Sequence, residues 1–156
     1  MALRRYVILE HDWPVVHWDL LLDVGPVLRA WRLWEEPAVG VTVRAEISAD
    51  HRQVYLDYEG EVSGGRGVVR RWDAGVYEVV AVVRGRTEGA KLSAGEDSSG
   101  VGLCPEELVV QLWGQRWQVR CRLWRMEGGR VGEYRAAFTV GMEAGPQLRP
   151  ACDPPP

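Results

Sequence analysis

Apolar residues along this chain come in short runs that alternate with polar ones, and most runs close on Gly, Pro or Asp. Valine supplies 23 of them, and a β-branched side chain suits a pleated, half-buried surface better than a helix. The pattern predicts strands over residues 4–10, 15–23, 27–34, 41–48, 67–72, 76–83, 107–113, 116–125 and 130–140. No segment keeps the 3.6-residue apolar period of a long amphipathic helix, and short helical turns are expected near residues 35–40 or 105–108. So many strands in so short a chain form an all-β meander that curls into a barrel or folds into a sandwich. Gly64-Gly65 and Gly128-Gly129 supply the positive φ angles of tight hairpins, Gly25-Pro26 parts two runs, and Gly114-Gln115 makes a further reversal. Residues 84–106, rich in Gly, Ser and Glu, read as a long mobile loop. Residues 143–156 carry five prolines and little apolar content, so one domain over 3–142 and a disordered Pro-rich tail are expected.

Composition narrows the class. The chain has 156 residues, 46% apolar and 26% charged, which excludes general disorder. No apolar run approaches the ~18 residues that span a bilayer. The run Val7-Ile8-Leu9 stops at Glu10, so neither a membrane segment nor a secretory leader is expected. Cys104, Cys121 and Cys152 are odd in number and far apart. They suit neither a disulfide framework nor a thiolate zinc site, and a reducing cytoplasm is the expected compartment. With a net charge of −3, bulk attraction to nucleic acid is excluded, so any phosphate partner must be held by a local site. The cations are almost all arginine, and Lys91 is the one lysine. Arginine has the fork geometry for phosphate, although a GC-rich genome produces the same bias.

The chemistry concentrates in one short segment. Two of the three histidines, His11 and His17, lie in Glu10-His11-Asp12-Trp13-Pro14-Val15-Val16-His17-Trp18-Asp19. Strand alternation puts Trp18, Leu20 and Leu22 on one face and His17, Asp19, Leu21 and Asp23 on the other. His17 and Asp19 can then converge on one small ion, with His11, folded back by the Pro14 turn, as a candidate third ligand, although a surface His-x-Asp pair is also common without a metal. Two imidazoles and a carboxylate suit Mn²⁺, Zn²⁺, Fe²⁺ or Co²⁺ better than Ca²⁺. A different set, His17 and Asp19 with His51, imitates the facial triad of iron oxygenases. His51 and Tyr55 stand four residues apart, a spacing that brings them to one face in a strand or a helix, and such a pair can orient and protonate a phosphate oxygen. The eight tryptophans are mostly core, with one or two available for base stacking. Arg116, Gln118, Arg120 and Arg122 alternate with Trp117, Val119, Cys121 and Leu123. That is a basic face which either tracks a nucleic-acid backbone or is simply solvated.

From Arg5 to Met126 these pieces, in order, resemble the 3′-phosphoesterase domain of bacterial DNA ligase D. The resemblance rests on Arg5-Tyr6-Val7, Glu10-His11-Asp12, His17-x-Asp19, Ala30-Trp31, Pro37, Asp50-His51 with Tyr55, Glu59-Gly60, Trp72-Asp73-Ala74-Gly75, Gly114 and Leu123-Trp124-Arg125-Met126. It implies an antiparallel β-barrel with a cleft that holds a divalent metal, manganese first and zinc or cobalt next, on His11, His17 and Asp19. It also implies that His51 and Tyr55 act on the scissile phosphate, and that the domain removes a 3′ ribonucleoside and then a 3′ phosphate from nucleic-acid 3′ ends. A repair ligase or polymerase would be the protein partner of such a stand-alone module, and no membrane is involved. The departures are as specific. Pro14, Val15 and Val16 fill a gap where the family carries arginine, Leu21 replaces an arginine, Glu35 falls near a lysine, and Leu9 and Ala49 stand for glutamine and glutamate. Each preorganised donor lost at a phosphoryl site costs on the order of 3 kcal/mol. A weakened enzyme, or a catalytically degenerate nucleic-acid-binding or scaffold module of DNA repair, is therefore expected. Arg4, Arg5, Arg29, Arg32 and Arg44 are candidate replacements, and a cation placed at Leu21 is expected to point into the cleft.

Overall fold

Two runs near the N-terminus, Tyr6-Val7-Ile8-Leu9 and Leu20-Leu21-Leu22, are apolar at consecutive positions rather than alternate ones. A strand of that kind must be covered on both faces. In the computed structural model, which describes residues 3–84 and 99–141, both strands are covered in this way. The strands are β1 (Arg4–His11), β2 (His17–Asp23), β3 (Leu28–Leu33), β4 (Thr42–His51), β5 (Gly60–Glu61), β6 (Val68–Val83), β7 (Glu107–Gly114), β8 (Gln118–Arg125) and β9 (Glu133–Val140). Every pairing among them is antiparallel, in the order β1-β2-β3-β4-β9-β8-β7-β6, and β6 returns to β1. The result is a closed, barrel-like ring of eight strands, with the two-residue β5 paired to β6 beside it. Closure leaves no free sheet edge in the ring.

Alternation fills the ring. Tyr6 and Ile8 of β1, Leu20 and Leu22 of β2, and Trp31 and Leu33 of β3 point inward, and all are fully buried. They meet Leu108, Val110 and Leu112 of β7, Cys121 and Leu123 of β8, and Tyr134 and Phe138 of β9. The opposite face of β1–β3 carries a second apolar cluster of Val7, Leu9, Leu21, Leu28 and Ala30. A 3-10 turn, Gln53–Leu56, and the chain after it lay Leu56, Tyr55, Tyr58 and Val62 over that cluster.

The strand reading holds for most of the chain, with three corrections. Residues 67–72 and 76–83 are one 16-residue strand, β6. Asp73 does not break it, because its buried carboxylate accepts from the Tyr6 hydroxyl and from the Arg116 backbone N–H at 2.8 Å. No helical turn forms at 35–40 or 105–108; the short helix is Gln53–Leu56. Strand β8 starts at Gln118 rather than Arg116, because the Gly114 N–H closes a turn on the Trp117 carbonyl at 2.9 Å. Arg116 thereby leaves the basic stripe and lies 3.9 Å over the Trp72 ring. Most of the expected loop (85–98) and the expected tail (from 142 on) fall outside the described residues. Cys104 and Cys121 are free thiols. No helix among the described residues is long and apolar enough to cross a membrane.

Gly75 and Gly114 face each other where β6 passes from β1 to β7. A Cβ on Gly75 would lie 1.9 Å from the Trp113 carbonyl oxygen, a backbone atom with nowhere to go. Gly75→Ala is expected to destabilise the domain by roughly 1–3 kcal/mol or more, read as a fall in thermal midpoint. An unchanged midpoint would show that the two strands separate freely there.

Candidate functional site

Two cross-strand rows on the outer face of β1–β4 build the centre. His11 and His17 face each other at the loop end of the β1–β2 hairpin. In the next outward row Leu9 faces Asp19, Asp19 faces Arg32, and Arg32 faces Glu46. His17 and Asp19 thus share a face, as alternation predicts, and His11 joins them across the hairpin. Asp19 Oδ2 lies 3.6 Å from His11 Nδ1 and 3.3 Å from His17 Nε2. One donor atom from each of the three residues lies within 4.8 Å of the others. His17 and Asp19 are buried and His11 is half-buried.

Backbone carbonyls set the two rings. His11 Nε2 is 2.7 Å from the Arg66 carbonyl, and His17 Nδ1 is 2.8 Å from the Val15 carbonyl. A carbonyl only accepts, so each of those nitrogens carries the proton. In the neutral rings the lone pairs then sit on His11 Nδ1 and His17 Nε2, the two atoms that face Asp19. Metal-binding imidazoles are held by their far N–H in this manner. His17 Nε2 and Asp19 Oδ1 are buried without a hydrogen-bond partner among the described residues. An unsatisfied buried polar atom costs about 1–3 kcal/mol, and two of them within this three-residue donor cluster fit a cation there.

Electrostatics agree with the geometry. Burial alone raises the Asp19 carboxyl, but His11, His17 and the nearby charge of His51 outweigh it and hold the group well below the usual carboxylate range. The close approach of Asp19 raises His11, against the effect of burial, with help from the Arg66 carbonyl and Asp12.

The far wall comes from the end of β4. Ala30 pairs with Ser48 but Leu28 pairs with His51, so β4 carries one extra residue between them. That bulge turns His51 to the face that Ser48 occupies. His51 Nδ1 is 2.9 Å from the Ala49 carbonyl, which leaves Nε2 for a partner. The Tyr55 ring stands edge-on to it at 5.5 Å. His11, Asp19, His51 and Tyr55 line one cleft of about 360 Å³, together with Trp13, Arg32, Arg52 and Arg66. His51 is not part of the donor cluster, so the arrangement around His17 and Asp19 uses His11 and not the oxygenase set.

Of the five arginines considered from sequence, only Arg32 reaches the cleft. Arg5 is paired with Asp57, Arg29 with Asp50 and Arg44 with Glu35. Leu21 corrects a further expectation. It shares the outer face with Asp19 but is fully buried in the second apolar cluster and does not line the cleft. Two residues along a strand is about 6.7 Å, which carries position 21 out of the cleft and into the apolar layer.

Sequence reasoning missed Arg66 and Gly67. Gly67 has φ +76°, and a Cβ there would lie 2.2 Å from Asp12 Oδ1 and 2.6 Å from Trp13 Cβ. Only glycine lets the turn lie this close to the hairpin, where Asp12 Oδ1 accepts from the Val68 N–H at 2.7 Å and Arg66 offers its carbonyl to His11. The signal was present as the run Gly64-Gly65-Arg66-Gly67, which promised a turn but not its neighbour.

Residues 9–125 match the family described as DNA Ligase D 3′-phosphoesterase domain. The chain is also 31% identical, over 81 residues, to the multifunctional non-homologous end joining protein LigD of Pseudomonas aeruginosa. That match covers 49% of this chain and 10% of the relative, so the chain spans a small part of the relative's length.

Two substitutions probe this architecture. Leu21→Arg would bury a guanidinium among Val7, Leu9 and Ala30 and should cost at least about 3 kcal/mol in a denaturant melt. A stable Leu21→Arg protein would show that the apolar layer opens readily. Gly67→Ala should weaken the hold of Arg66 on His11 while the ring keeps its circular dichroism spectrum. The nitrogen chemical shifts of His11 should change, and unaltered shifts would mean that the turn adapts.

Proposed function

The chain belongs to the DNA ligase D 3′-phosphoesterase domain family, and on that premise we propose that it is a metal-dependent phosphoesterase acting on nucleic-acid 3′ ends. Its substrates would be a terminal 3′ phosphate or a 3′ ribonucleoside. The observation that carries this reading is the donor cluster of His11, His17 and Asp19, whose atoms lie within 4.8 Å of one another beside the cleft that His11, Asp19 and His51 line. His11, His17 and Asp19 would hold the ion. The mixed imidazole and carboxylate set suits Mn²⁺, and Zn²⁺ or Co²⁺ accept the same donors. A divalent ion there supplies Lewis acidity, drawing charge off a phosphate oxygen and acidifying water.

The rest falls to the chain's own side chains. Asp19, held ionised by its neighbours, is a ligand that needs no deprotonation near neutral pH. His51, with Nδ1–H committed to the Ala49 carbonyl, presents Nε2 to the scissile phosphate. As imidazolium it donates a hydrogen bond or a proton to a phosphate oxygen. Tyr55 fixes the plane of that ring. The 3-10 turn and Val62 close the cleft floor with apolar atoms, which strengthens each charged contact inside. A ligase or polymerase of end repair would be the protein that supplies or takes up the trimmed end.

The test is a manganese-dependent assay on a primer–template that ends in a 3′ phosphate or a 3′ ribonucleotide. Asp19→Ala should abolish Mn²⁺ binding by calorimetry and all turnover. His51→Ala should keep the metal and lose about 10²–10³ in rate. Should His51→Ala lose the metal and His11→Ala keep it, the iron-oxygenase arrangement would replace this one. A metal-loaded but inert natural protein would make it a binding or scaffold module.

The pH dependence follows from His11. Its raised pKa means that its contact with Asp19 stabilises the metal-free fold fully below the ordinary imidazole value of 6.5, and that this contribution is lost as pH rises through the raised value. A metal ion needs the same nitrogen unprotonated. The gain in thermal midpoint on adding Mn²⁺ should therefore grow from about pH 6 to about pH 8. A gain that shrinks over that range would remove His11 from the ligand set.

A further inference from the structure

The cleft is lined by three arginines from three separate elements: Arg32 on β3, Arg52 at the head of the 3-10 turn, and Arg66 in the turn before β6. Their charges are compensated differently from arginines elsewhere. Arg5, Arg29, Arg44 and Arg122 each hold a carboxylate within 3.2 Å. Arg32 has two carboxylates near it, but Asp19 at 4.0 Å and Glu46 at 3.9 Å are both beyond hydrogen-bond reach. Its Nε is buried and has no hydrogen-bond partner among the described residues. Arg66 donates to the Ser63 carbonyl at 2.8 Å and to the Ser63 hydroxyl at 3.3 Å, both neutral acceptors that leave its charge unmatched. Arg52 is exposed and enters no ion pair with a described residue. A chain of net charge −3 thus gathers three arginines, none with a described carboxylate in hydrogen-bond reach, along one 360 Å³ cleft. Two carboxylates line it as well: Asp19 belongs to the metal in the function proposed above, and Asp50 is paired with Arg29.

We infer that Arg32, Arg52 and Arg66 form the grip for a terminal phosphate dianion. This inference rests on the proposed phosphoesterase reading of the same cleft. Arg32 is the central member: its cross-strand place beside Asp19 sets it next to the donor cluster, and its guanidinium, with no carboxylate in hydrogen-bond reach, has the fork geometry for phosphate. Arg66 is coupled to the centre through its own backbone, since its carbonyl orients His11. Arg52 stands next to His51 in the chain and reaches the same opening from the far wall.

The grip can be read without turnover. Two duplexes are compared, one ending in a non-hydrolysable 3′ phosphonate and one in a 3′ hydroxyl, binding to Mn²⁺-loaded protein being followed by fluorescence anisotropy. The natural protein should prefer the phosphonate end by at least about tenfold. Arg32→Gln, Arg52→Gln and Arg66→Gln should each cut that preference about threefold to tenfold, while hydroxyl-end affinity and Mn²⁺ affinity stay within about twofold. Arg122→Gln, which removes an exposed arginine paired with Glu107 away from the cleft, should leave the preference intact. Arg32→Lys should restore part of the loss, because it returns the charge without the fork. The grip is overturned if the natural protein shows no preference, or if all three variants keep it. A parallel turnover assay separates the two ideas. An arginine-dependent preference without turnover removes the phosphoesterase reading and leaves the grip. Turnover with a preference untouched by the three substitutions leaves the phosphoesterase and removes the grip.

Discussion

The outer face of β1, β2 and β3 cannot meet water. Val7, Leu9, Leu21, Leu28 and Ala30 all lie on it, and they are as buried as the residues inside the ring. Burying side chains of this kind is worth about 1.5–3 kcal/mol apiece, a large fraction of a domain's net stability. The chain must therefore double back, and residues 52–62 do so with Leu56, Tyr55, Tyr58 and Val62. The cleft exists because that cover ends where the outer face turns polar, at Asp19 and the two histidines. The hydrophobic layer and the site are one construction: the layer sets the height of the floor, and the site is its open margin.

How much of this could be read from sequence depends on how local each cause is. Alternation is local, so the inward set and the shared face of His17 and Asp19 were legible, as was the meander of antiparallel strands. The continuity of β6 through Asp73 was not, since the partners that make a buried aspartate acceptable come from Tyr6 and Arg116, far along the chain. The extra residue in β4 was also hidden. Nothing in Ala49-Asp50-His51 announces a bulge, and only its pairing with β3 shows which way His51 turns. Leu21 illustrates the limit best. Its face was read correctly, but a face is several rows long, and the burial of each row is set by what lies above it.

The same distinction sorts the residues that carry the family resemblance. Tyr6, Asp73, Gly75 and Gly114 gather where β1, β6 and β7 meet, and a Cβ would strike the Trp113 backbone at Gly75 and the Asp73 and Tyr6 side chains at Gly114. They hold the ring shut and touch none of the cleft. His11, Asp19, His51 and Tyr55 line the cleft, with His17 behind them at 0% exposure. The site residues all fall between Tyr6 and Asp73 in the chain, and residue type alone does not say which group does which. Their hydrogen bonding separates them.

Two buried aspartates make that separation concrete. Asp19 and Asp73 are each 2% exposed, and both belong to the resemblance. Asp73 accepts the Tyr6 hydroxyl on one oxygen and the Arg116 N–H on the other, so its burial is compensated by the protein itself. Asp19 Oδ1 has no hydrogen-bond partner among the described residues, and His17 Nε2 beside it has none either. Both residues belong with His11 to one donor cluster within 4.8 Å. A satisfied buried carboxylate is an internal strut, whereas one left open at a cleft is half of a bond. The two imidazoles are turned by backbone carbonyls so that their lone pairs face Asp19, and the proposed ion rests on that geometry.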